Sequence, residues 1–427
     1  MEGHEDWVLD VKFVETDDNK LLLASCSKDS YIRLWKIEKE LERKEKESEV
    51  EEMTNPAKYF KVEGKLFGVR MEALLVGHEN WVHSVDWHPP IPSSSPPFKT
   101  QPMMLLSASM DRSMILWQPD EEEEGVWVDR VRVGEIGGNT LGFYGCSFSK
   151  KDFGKKMVAS GYKGSFHMWQ LESPSLSSQM KWKPVICQTG HSGGVVDICF
   201  SKEGDYFLSA SEDQTVRLYS EWKRGDGKWY EIGRPQVHGH EMQCLSLLPS
   251  LEHSFISAAQ EKMLRVFEAP SSFLSSLHFL SGQSLSQSAS SRPLGASLPP
   301  LGLSNKPISQ PEEESAAEDN IDNFAPAKPA ILSEPPLEEH LFQSTLWPET
   351  NKLYAHGNHL YSVSVSHDGT LIASSCKGTK PPLTDIIIWD SKTFKPVQQI
   401  NALSFYFLSV FLIFSALYLY RRVYSSK

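Results

Sequence analysis

A Gly-His pair followed by near-alternating apolar and polar residues recurs along this chain of 427 residues. The seventh residue after the histidine is a branched aliphatic each time. The five copies begin at Gly3-His4, Gly77-His78, Gly190-His191, Gly239-His240 and, more loosely, Ala355-His356, and their aliphatic residues are Val11, Val85, Ile198, Leu247 and Val363. A shared register of this kind is an internal repeat. The chain is therefore expected to fold as a series of similar units, because one hydrophobic core seldom serves so many residues.

A second motif follows three of these pairs and ends in an aromatic residue. Its copies are SCSKDSYIRLW, SASMDRSMILW and SASEDQTVRLY, which end at Trp35, Trp117 and Tyr219. The positions one and three before the aromatic are apolar, and this period of two predicts a strand with one buried face. An aspartate lies six residues before each aromatic, where its side chain can close the tight turn that precedes the strand. Degenerate copies lie at residues 160–169 and 257–267, and a sixth strand is predicted at 385–389.

Gly-His at one end of a repeat and Trp at the other resembles the WD40 repeat, in which four antiparallel strands form one blade of a β-propeller. The resemblance implies an all-β chain, with about five blades of an incomplete first propeller, a linker and the first blade of a second propeller. It also implies that a histidine, a strand serine, the turn aspartate and the aromatic form a buried hydrogen-bonded tetrad. The serine is Ser25 or Ser27 in the first copy and Ser107 or Ser109 in the second; we assign the second serine of each motif. The expected tetrads are His4, Ser27, Asp29 and Trp35; His78, Ser109, Asp111 and Trp117; and His191, Ser211, Asp213 and Tyr219.

Several kinds of chemistry find no support in the pattern. A single active site needs one exposed nucleophile beside one base, whereas the Ser-His-Asp trio here recurs in blade after blade, as a structural lock would. The histidines lack metal-ligand spacing, and His238 and His240 have no Cys or Asp cluster nearby. We therefore predict no catalytic residue, no metal and no cofactor. The net charge of −12 argues against a general nucleic-acid surface. Six scattered cysteines without a C-x-x-C pair indicate buried thiols in a reducing compartment.

Changes in composition suggest the domain boundaries. Residues 1–270 contain the five blade-like repeats, and residues 271–349 form a Ser-, Pro- and acid-rich linker with a few docked stretches. Residues 350–400 are expected to be the first blade of the second propeller. Residues 401–427 are a tail unlike the repeats. Within it, residues 403–420 carry no charge and reach the lower length limit of a membrane-spanning helix, although we favour a tail without that role.

Two tryptophans are candidates for binding a partner. Trp7 and Trp81 each lie three residues after the histidine of their repeat, where the entry face of a blade begins. Tryptophan at such a position can be an interaction hot spot, or it can pack between neighbouring blades. The sequence leaves both alternatives open.

Three segments that are not generic to the repeat narrow the resemblance. Residues 105–145, 234–248 and 335–357 are similar to the WD40 subunit family of the Elongator complex. This resemblance implies a non-catalytic scaffold in the cytoplasm and nucleus that bridges the large scaffold subunit and the catalytic radical/acetyltransferase subunit. The assembly would modify C5 of the wobble uridine (U34) of tRNA, which this chain would contact only indirectly. The chain resembles a truncated form, lacking the upstream blades. The alternatives are a generic WD40 adaptor and a protein anchored in a membrane by its tail.

Overall fold

The computed structural model describes part of the chain, and every structural statement below concerns that part. It comprises residues 3–17, 20–40, 57–94, 99–120, 126–134, 142–172, 180–282, 291–298, 304–308, 329–377 and 385–400. Two compact units divide the chain between Thr189 and Gly190. The whole tail 401–427 lies outside the described residues.

The first unit contains three blades, each an antiparallel sheet whose strands follow one another from the inner to the outer edge. A hairpin strand, β4, adds a fifth strand to the first blade, and a two-stranded ribbon of β7 and β8 leaves the second. The strands are β1 (Val8–Glu15), β2 (Leu21–Ser27), β3 (Ile32–Glu40), β4 (Lys58–Val62), β5 (Lys65–Leu75), β6 (Val82–Trp87), β7 (Ile91–Pro92), β8 (Lys99–Thr100), β9 (Leu105–Ser109), β10 (Ser113–Pro119), β11 (Trp127–Gly134), β12 (Phe143–Phe148), β13 (Lys156–Gly161), β14 (Phe166–Leu171) and β15 (Trp182–Val185).

The second unit also contains three blades, together with two helices and a small ribbon of β23 and β24. Its blades are formed by β16 to β19, by β20, β21, β22 and β25, and by β26 to β29. The elements are β16 (Val195–Phe200), β17 (Tyr206–Ser211), β18 (Thr215–Glu221), β19 (Trp229–Val237), β20 (Met242–Leu247), β21 (Ser254–Ala259), β22 (Met263–Glu268), α1 (Ser271–Ser281), β23 (Gly295–Ser297), β24 (Lys306–Ile308), α2 (Glu338–Gln343), β25 (Glu349–Tyr354), β26 (Leu360–Val365), β27 (Leu371–Cys376), β28 (Ile386–Asp390) and β29 (Pro396–Ile400).

Apolar residues at alternate strand positions form the cores between neighbouring blades. Between the first two blades, Leu34 and Ile115 pack with Val82 and Val85, and all four side chains are fully buried. Burying an aliphatic side chain of this size contributes about 1.5–3 kcal/mol. A polar contact fixes the register of the same two blades, because Asp10 Oδ2 accepts hydrogen bonds from Val85 N at 3.2 Å and Ser84 Oγ at 3.0 Å.

The region expected to be a linker contributes to the second unit. Helix α1 begins after Pro270 and ends at Gly282, whose φ of +77° suits a residue without a Cβ. Its apolar face is buried, and Phe273 lies 4.9 Å from the ring of Trp347. Residues 329–354, which we name the strap, lie against the fourth and fifth blades. The expectation of a new blade from residue 350 differs from the structure here, since β25 pairs with β22 and completes the fifth blade.

Buried charges hold the strap in place. Arg234 on β19 contacts Glu231 at 2.6 Å and Glu338 of the strap at 2.7 Å, and all three residues are buried. Burial opposes the charge of Arg234, but the two carboxylates outweigh it and raise the pKa of the guanidinium. In the fifth blade, Arg265 contacts Glu349 of the strap at 3.0 Å. Glu338 and Glu349 of the strap thus each give a buried arginine a second carboxylate partner, because Arg234 also contacts Glu231 and Arg265 also contacts Glu261.

No helix in the described ranges is both long and apolar enough to cross a membrane. The candidate span at 403–420 lies outside those ranges.

Replacing Glu338 by alanine should loosen the strap. Breaking a buried ion pair by removing one partner costs about 3 kcal/mol, because the remaining charge stays buried. We expect Glu338→Ala to lower the free energy of urea unfolding and to speed proteolysis within residues 329–345. Glu334→Ala, which removes an exposed carboxylate of the same strap, is the matched control and should change neither. Equal behaviour of the two variants would show that the ion pair does not hold the strap.

Candidate functional site

The first two blades each contain a complete buried tetrad centred on one serine. In the second blade, Ser107 Oγ accepts a hydrogen bond from Trp117 Nε1 at 2.9 Å and lies 2.8 Å from His78 Nε2. His78 Nδ1 is 2.8 Å from Asp111 Oδ2. Because a carboxylate only accepts, His78 Nδ1 donates to Asp111, and its other ring nitrogen faces the serine hydroxyl. The first blade repeats this arrangement at His4, Ser25, Asp29 and Trp35.

The assignment of the second serine of each motif to the tetrad is corrected by this geometry. Trp117 pairs with Leu105 across the sheet, so Ser107 is two residues along that strand from the indole and Ser109 is four. At about 3.4 Å per residue, Ser109 is out of reach of the indole N–H. Ser109 Oγ instead accepts Asp111 N at 3.1 Å and donates to Asn80 O at 3.0 Å. The same correction replaces Ser27 by Ser25 and Ser211 by Ser209.

The turn aspartates are held in the charged form. Burial by itself would raise the pKa of Asp111, but hydrogen bonds from His78, the Ser113 hydroxyl and Glu79 N outweigh it and lower the pKa below the ordinary value. The pKa of Asp213 in the fourth blade is lowered in the same way, with His191 and Thr215 as the side-chain donors. The acceptor of each tetrad is therefore a carboxylate across the neutral pH range.

Tyr219 alters the tetrad of the fourth blade. His191 still contacts Ser209 at 2.6 Å and Asp213 at 2.9 Å. Tyr219 stacks on Phe207 with ring centroids 4.9 Å apart, and burial raises its pKa to about 12. An arginine supplies the additional polar contact, because Arg217 Nη2 lies 3.4 Å from Asp213 Oδ2.

The copy of the repeat assigned to Gly239-His240, in the fifth blade, is corrected by two residues. In each complete blade the aliphatic residue seven after the histidine pairs with the tetrad serine, as Val85 does with Ser107. In the fifth blade the residue paired with Ser257 is Leu245, which makes His238 the repeat histidine instead of His240. His238 is buried and lies 3.3 Å from Glu261, whereas His240 is exposed. The sequence HGH concealed this shift, because only His240 follows a glycine while both histidines have a leucine seven residues later.

The third and sixth blades have partial tetrads. In the third, Ala159 stands at the serine position, and His167 stacks on Trp169 with ring centroids 6.1 Å apart. In the sixth, Ser374 Oγ accepts Trp389 Nε1 at 2.8 Å and lies 2.7 Å from His356 Nε2. Burial lowers the pKa of His356 to about 4.

The Ser-His-Asp trios are thus enclosed in the blades. Ser107 is fully buried, and its hydroxyl is surrounded by an indole, an imidazole and the Ile115 carbonyl. A substrate carbonyl has no approach to this oxygen, so the trio cannot act as a nucleophile and base. In the described ranges no three His, Cys, Asp or Glu side chains cluster as metal ligands.

An exposed run of aromatic side chains crosses the first unit, and we name it the aromatic strip. Trp7 is 71% exposed and Trp81 is 43% exposed. Lys28 Nζ lies between them, 4.0 Å from the ring centroid of Trp7 and 4.4 Å from that of Trp81. The strip consists of Trp7, Lys28, Trp81, His83, Tyr144 and Tyr162.

The strip continues from the second blade to the third. The ring of Trp81 lies 6.4 Å from that of His83, and His83 lies 4.3 Å from Tyr144. Tyr144 stacks on Tyr162 at 5.5 Å. Burial lowers the pKa of His83, and the charge of Lys28 adds to this effect. Sequence reasoning missed these three rings, because they become neighbours only when β6 and β12 pack together.

Neither tryptophan is buried between blades. Equivalent positions in other blades carry residues of different kinds. Trp7 O accepts a hydrogen bond from Lys28 N, and in the fourth blade Gly194 O accepts the equivalent bond from Glu212 N. The same bond runs from Gln260 N to Glu241 O. A blade therefore forms with glycine or glutamate where Trp7 and Trp81 stand. The folding of a blade does not account for these two exposed rings.

A double-mutant cycle should locate the tetrad serine. Ser107→Ala leaves the Trp117 N–H and the His78 ring without their shared partner, at a cost of about 1–3 kcal/mol. In urea unfolding, Ser107→Ala and Trp117→Phe should show a coupling free energy above about 0.5 kcal/mol. Ser109→Ala with Trp117→Phe is the matched control and should couple less, because Ser109 does not touch the indole. A larger coupling for Ser109 would contradict the assignment.

The stability of the second unit should depend on His356 in mildly acidic solution. The folded pKa of about 4 lies below the unfolded value of about 6.5, so the neutral form is favoured by folding. The contribution of the neutral His356 to the free energy of unfolding is fully present above pH 6.5 and is lost as the pH falls towards 4. We expect urea-unfolding free energies measured over this window to fall less for His356→Gln than for the unmodified protein. His359→Gln, at an exposed histidine nearby, should retain the full decrease; identical profiles for all three proteins would exclude His356 as the cause.

A comparison with protein families agrees with the repeat. The family profile described as WD domain, G-beta repeat, matches residues 1–36, 70–118, 182–220 and 347–379. A solved β-propeller domain, that of Cps50 (Swd1) from Myceliophteria thermophila, is 14% identical, covers 94% of this chain and 89% of its own, and has a TM-score of 0.27.

Curated relatives match nearly the whole chain. Elongator complex protein 2 from Mus musculus is 41% identical over 96% of this chain and 50% of the relative. The Homo sapiens protein of that name is 41% identical over 93% of this chain and 49% of the relative. The Arabidopsis thaliana protein is 38% identical over 94% of this chain and 51% of the relative. The chain spans about half the length of the curated relatives it matches. It is a WD40-repeat β-propeller protein and a homologue of Elongator complex protein 2.

Proposed function

We propose that this chain is a non-catalytic scaffold subunit of an Elongator complex. The observation that carries the proposal is its homology to Elongator complex protein 2 over nearly its whole length. In this role it bridges the large scaffold subunit and the catalytic radical/acetyltransferase subunit. It thereby supports modification of C5 of the wobble uridine, U34, of tRNA in the cytoplasm and nucleus.

The geometry of the first unit is consistent with a binding role. Its Ser-His-Asp trios are enclosed, whereas the aromatic strip is exposed and not needed for the fold. Tryptophan and tyrosine are enriched among the residues that dominate protein interfaces. The chain would bind no cofactor of its own, and the chemistry on uridine would belong to the catalytic subunit. Contact with tRNA would be indirect, which suits a net charge of −12.

Co-purification with the two proposed partners tests this function. The tagged chain is co-expressed with the large scaffold subunit and the catalytic subunit of its own organism, and the complex is analysed by size-exclusion chromatography. We expect all three proteins to elute together and the two partners to associate less completely without this chain. A WD40 protein of an unrelated complex is the control and should recover neither partner. Failure of the chain to recover either subunit would refute the proposal.

A further inference from the structure

Lys28 in the aromatic strip is a cation without a counter-charge. Its ammonium lies on two indole rings, and within the described ranges no carboxylate forms an ion pair with it. The neighbouring carboxylates are engaged elsewhere, since Asp29 accepts from His4 and Asp6 Oδ1 accepts from Trp7 N at 2.7 Å. A cation partly shielded from water by two rings attracts a single anionic group strongly, because screening is weaker there than in open solvent.

A second polar group in the strip also lacks a partner. The Nε2 atom of His83 is buried and forms no hydrogen bond among the described residues. Burial and Lys28 lower the pKa of this ring, so it is neutral and one of its nitrogens can accept a hydrogen bond. The strip therefore offers one positive charge and several apolar ring faces.

These features select among the classes of ligand. Lys28 occupies the space between the two indoles, so a partner lysine or arginine would be repelled from the position that a cation normally takes on a tryptophan. A nucleic acid would bring a series of phosphates, and the exposed Glu5 and Glu79 beside the strip oppose that charge. A protein segment with one carboxylate among apolar residues brings no cation, and its single negative charge meets less of this repulsion than a series of phosphates does. Proline-containing segments suit such surfaces, because their extended conformation is already formed before binding.

We propose that the aromatic strip docks an extended segment of a partner subunit that carries one carboxylate flanked by apolar or proline residues. The carboxylate pairs with Lys28 Nζ, and the flanking side chains lie on Trp7 and Trp81. The strip continues through His83 to Tyr144, which extends the contact to the third blade. This inference rests on the proposed scaffold function and names the chemistry by which a partner is recognised.

Peptide binding with matched variants tests the proposal. Fluorescently labelled, overlapping peptides that cover the large scaffold subunit and the catalytic subunit are titrated with the full chain, and affinity is measured by anisotropy. We expect binding by peptides with an acidic residue between apolar or proline residues. Trp7→Ala and Trp81→Ala should each weaken that binding about tenfold or more, as at interface hot spots. Lys28→Met should weaken it and remove most of its dependence on salt.

The controls lie on the hairpin strand β4 of the same unit. Tyr59→Ala and Lys61→Met remove an exposed aromatic ring and an exposed ammonium outside the strip, and should leave the affinity within about twofold. Circular dichroism of each variant establishes that the blades remain folded. A single-stranded RNA oligonucleotide of mixed sequence is titrated in parallel, and we expect no strip-dependent binding.

The outcomes separate the two proposals. In one outcome, the strip variants recover the intact subunits as well as the unmodified chain does, and no peptide binds through the strip. This result would overturn the docking site and leave the scaffold function standing. Recovery of neither subunit by the unmodified chain would overturn both. RNA binding that is lost in Trp7→Ala and Trp81→Ala would overturn the assignment of a peptide ligand. Peptide binding lost in these variants but kept in the controls supports the proposal.

Discussion

The hydrogen bonding of one buried serine hydroxyl underlies the blades that have a complete tetrad. Ser107 Oγ receives the indole N–H of Trp117 from a neighbouring strand and bonds to the imidazole of His78, which precedes the blade. The Asp111 carboxylate orients that imidazole from the turn. Three separate parts of the repeat thus converge on an oxygen that is inaccessible to water. Because an unpaired buried polar group costs more than a paired one contributes, each part constrains the others. The apolar residues at alternate strand positions bury the tetrad, and the tetrad fixes the register of the strands within the blade.

The sequence predicted the blades well because their two signals are local and repeated. Each repeat has a Gly-His pair before one strand and an aromatic residue at the end of another. Short, regular segments separate these two signals, so it could be anticipated which residues would form hydrogen bonds with each other. The choice between Ser107 and Ser109 was not predictable from alternation, because both serines point to the same face of β9. Only the cross-strand pairing of Trp117 with Leu105 decides it. The shift from His240 to His238 has a similar origin, since two histidines two residues apart give the same pattern of polarity.

Contacts between blades were the harder part of the prediction. Trp7 and Trp81 were recognisable as candidates because each follows a repeat histidine, but the sequence did not decide between partner binding and packing between blades. Their companions His83 and Tyr144 meet only through the packing of β6 against β12, and Tyr162, from the degenerate copy at 160–169, stacks on Tyr144 within the third blade. Within the second unit the corresponding positions include Gly194, Glu241 and Gln243. The repeat therefore leaves these surface positions free to vary, and variation there gives an individual blade its own surface without loss of the tetrad.

The position of β25 affects the order in which the fifth blade can be completed during synthesis. Strand β22 ends at Glu268, and its partner β25 begins at Glu349, roughly 80 residues later. At translation rates of about 5–20 residues per second, β22 emerges on the order of 4–16 s before its outer neighbour exists. During that interval its backbone N–H and C=O groups form an open sheet edge, which is a template for pairing with another chain. Helix α1 follows β22 directly and packs in the core shared by the fourth and fifth blades, so apolar surface of the fifth blade can be buried before its outer edge is closed.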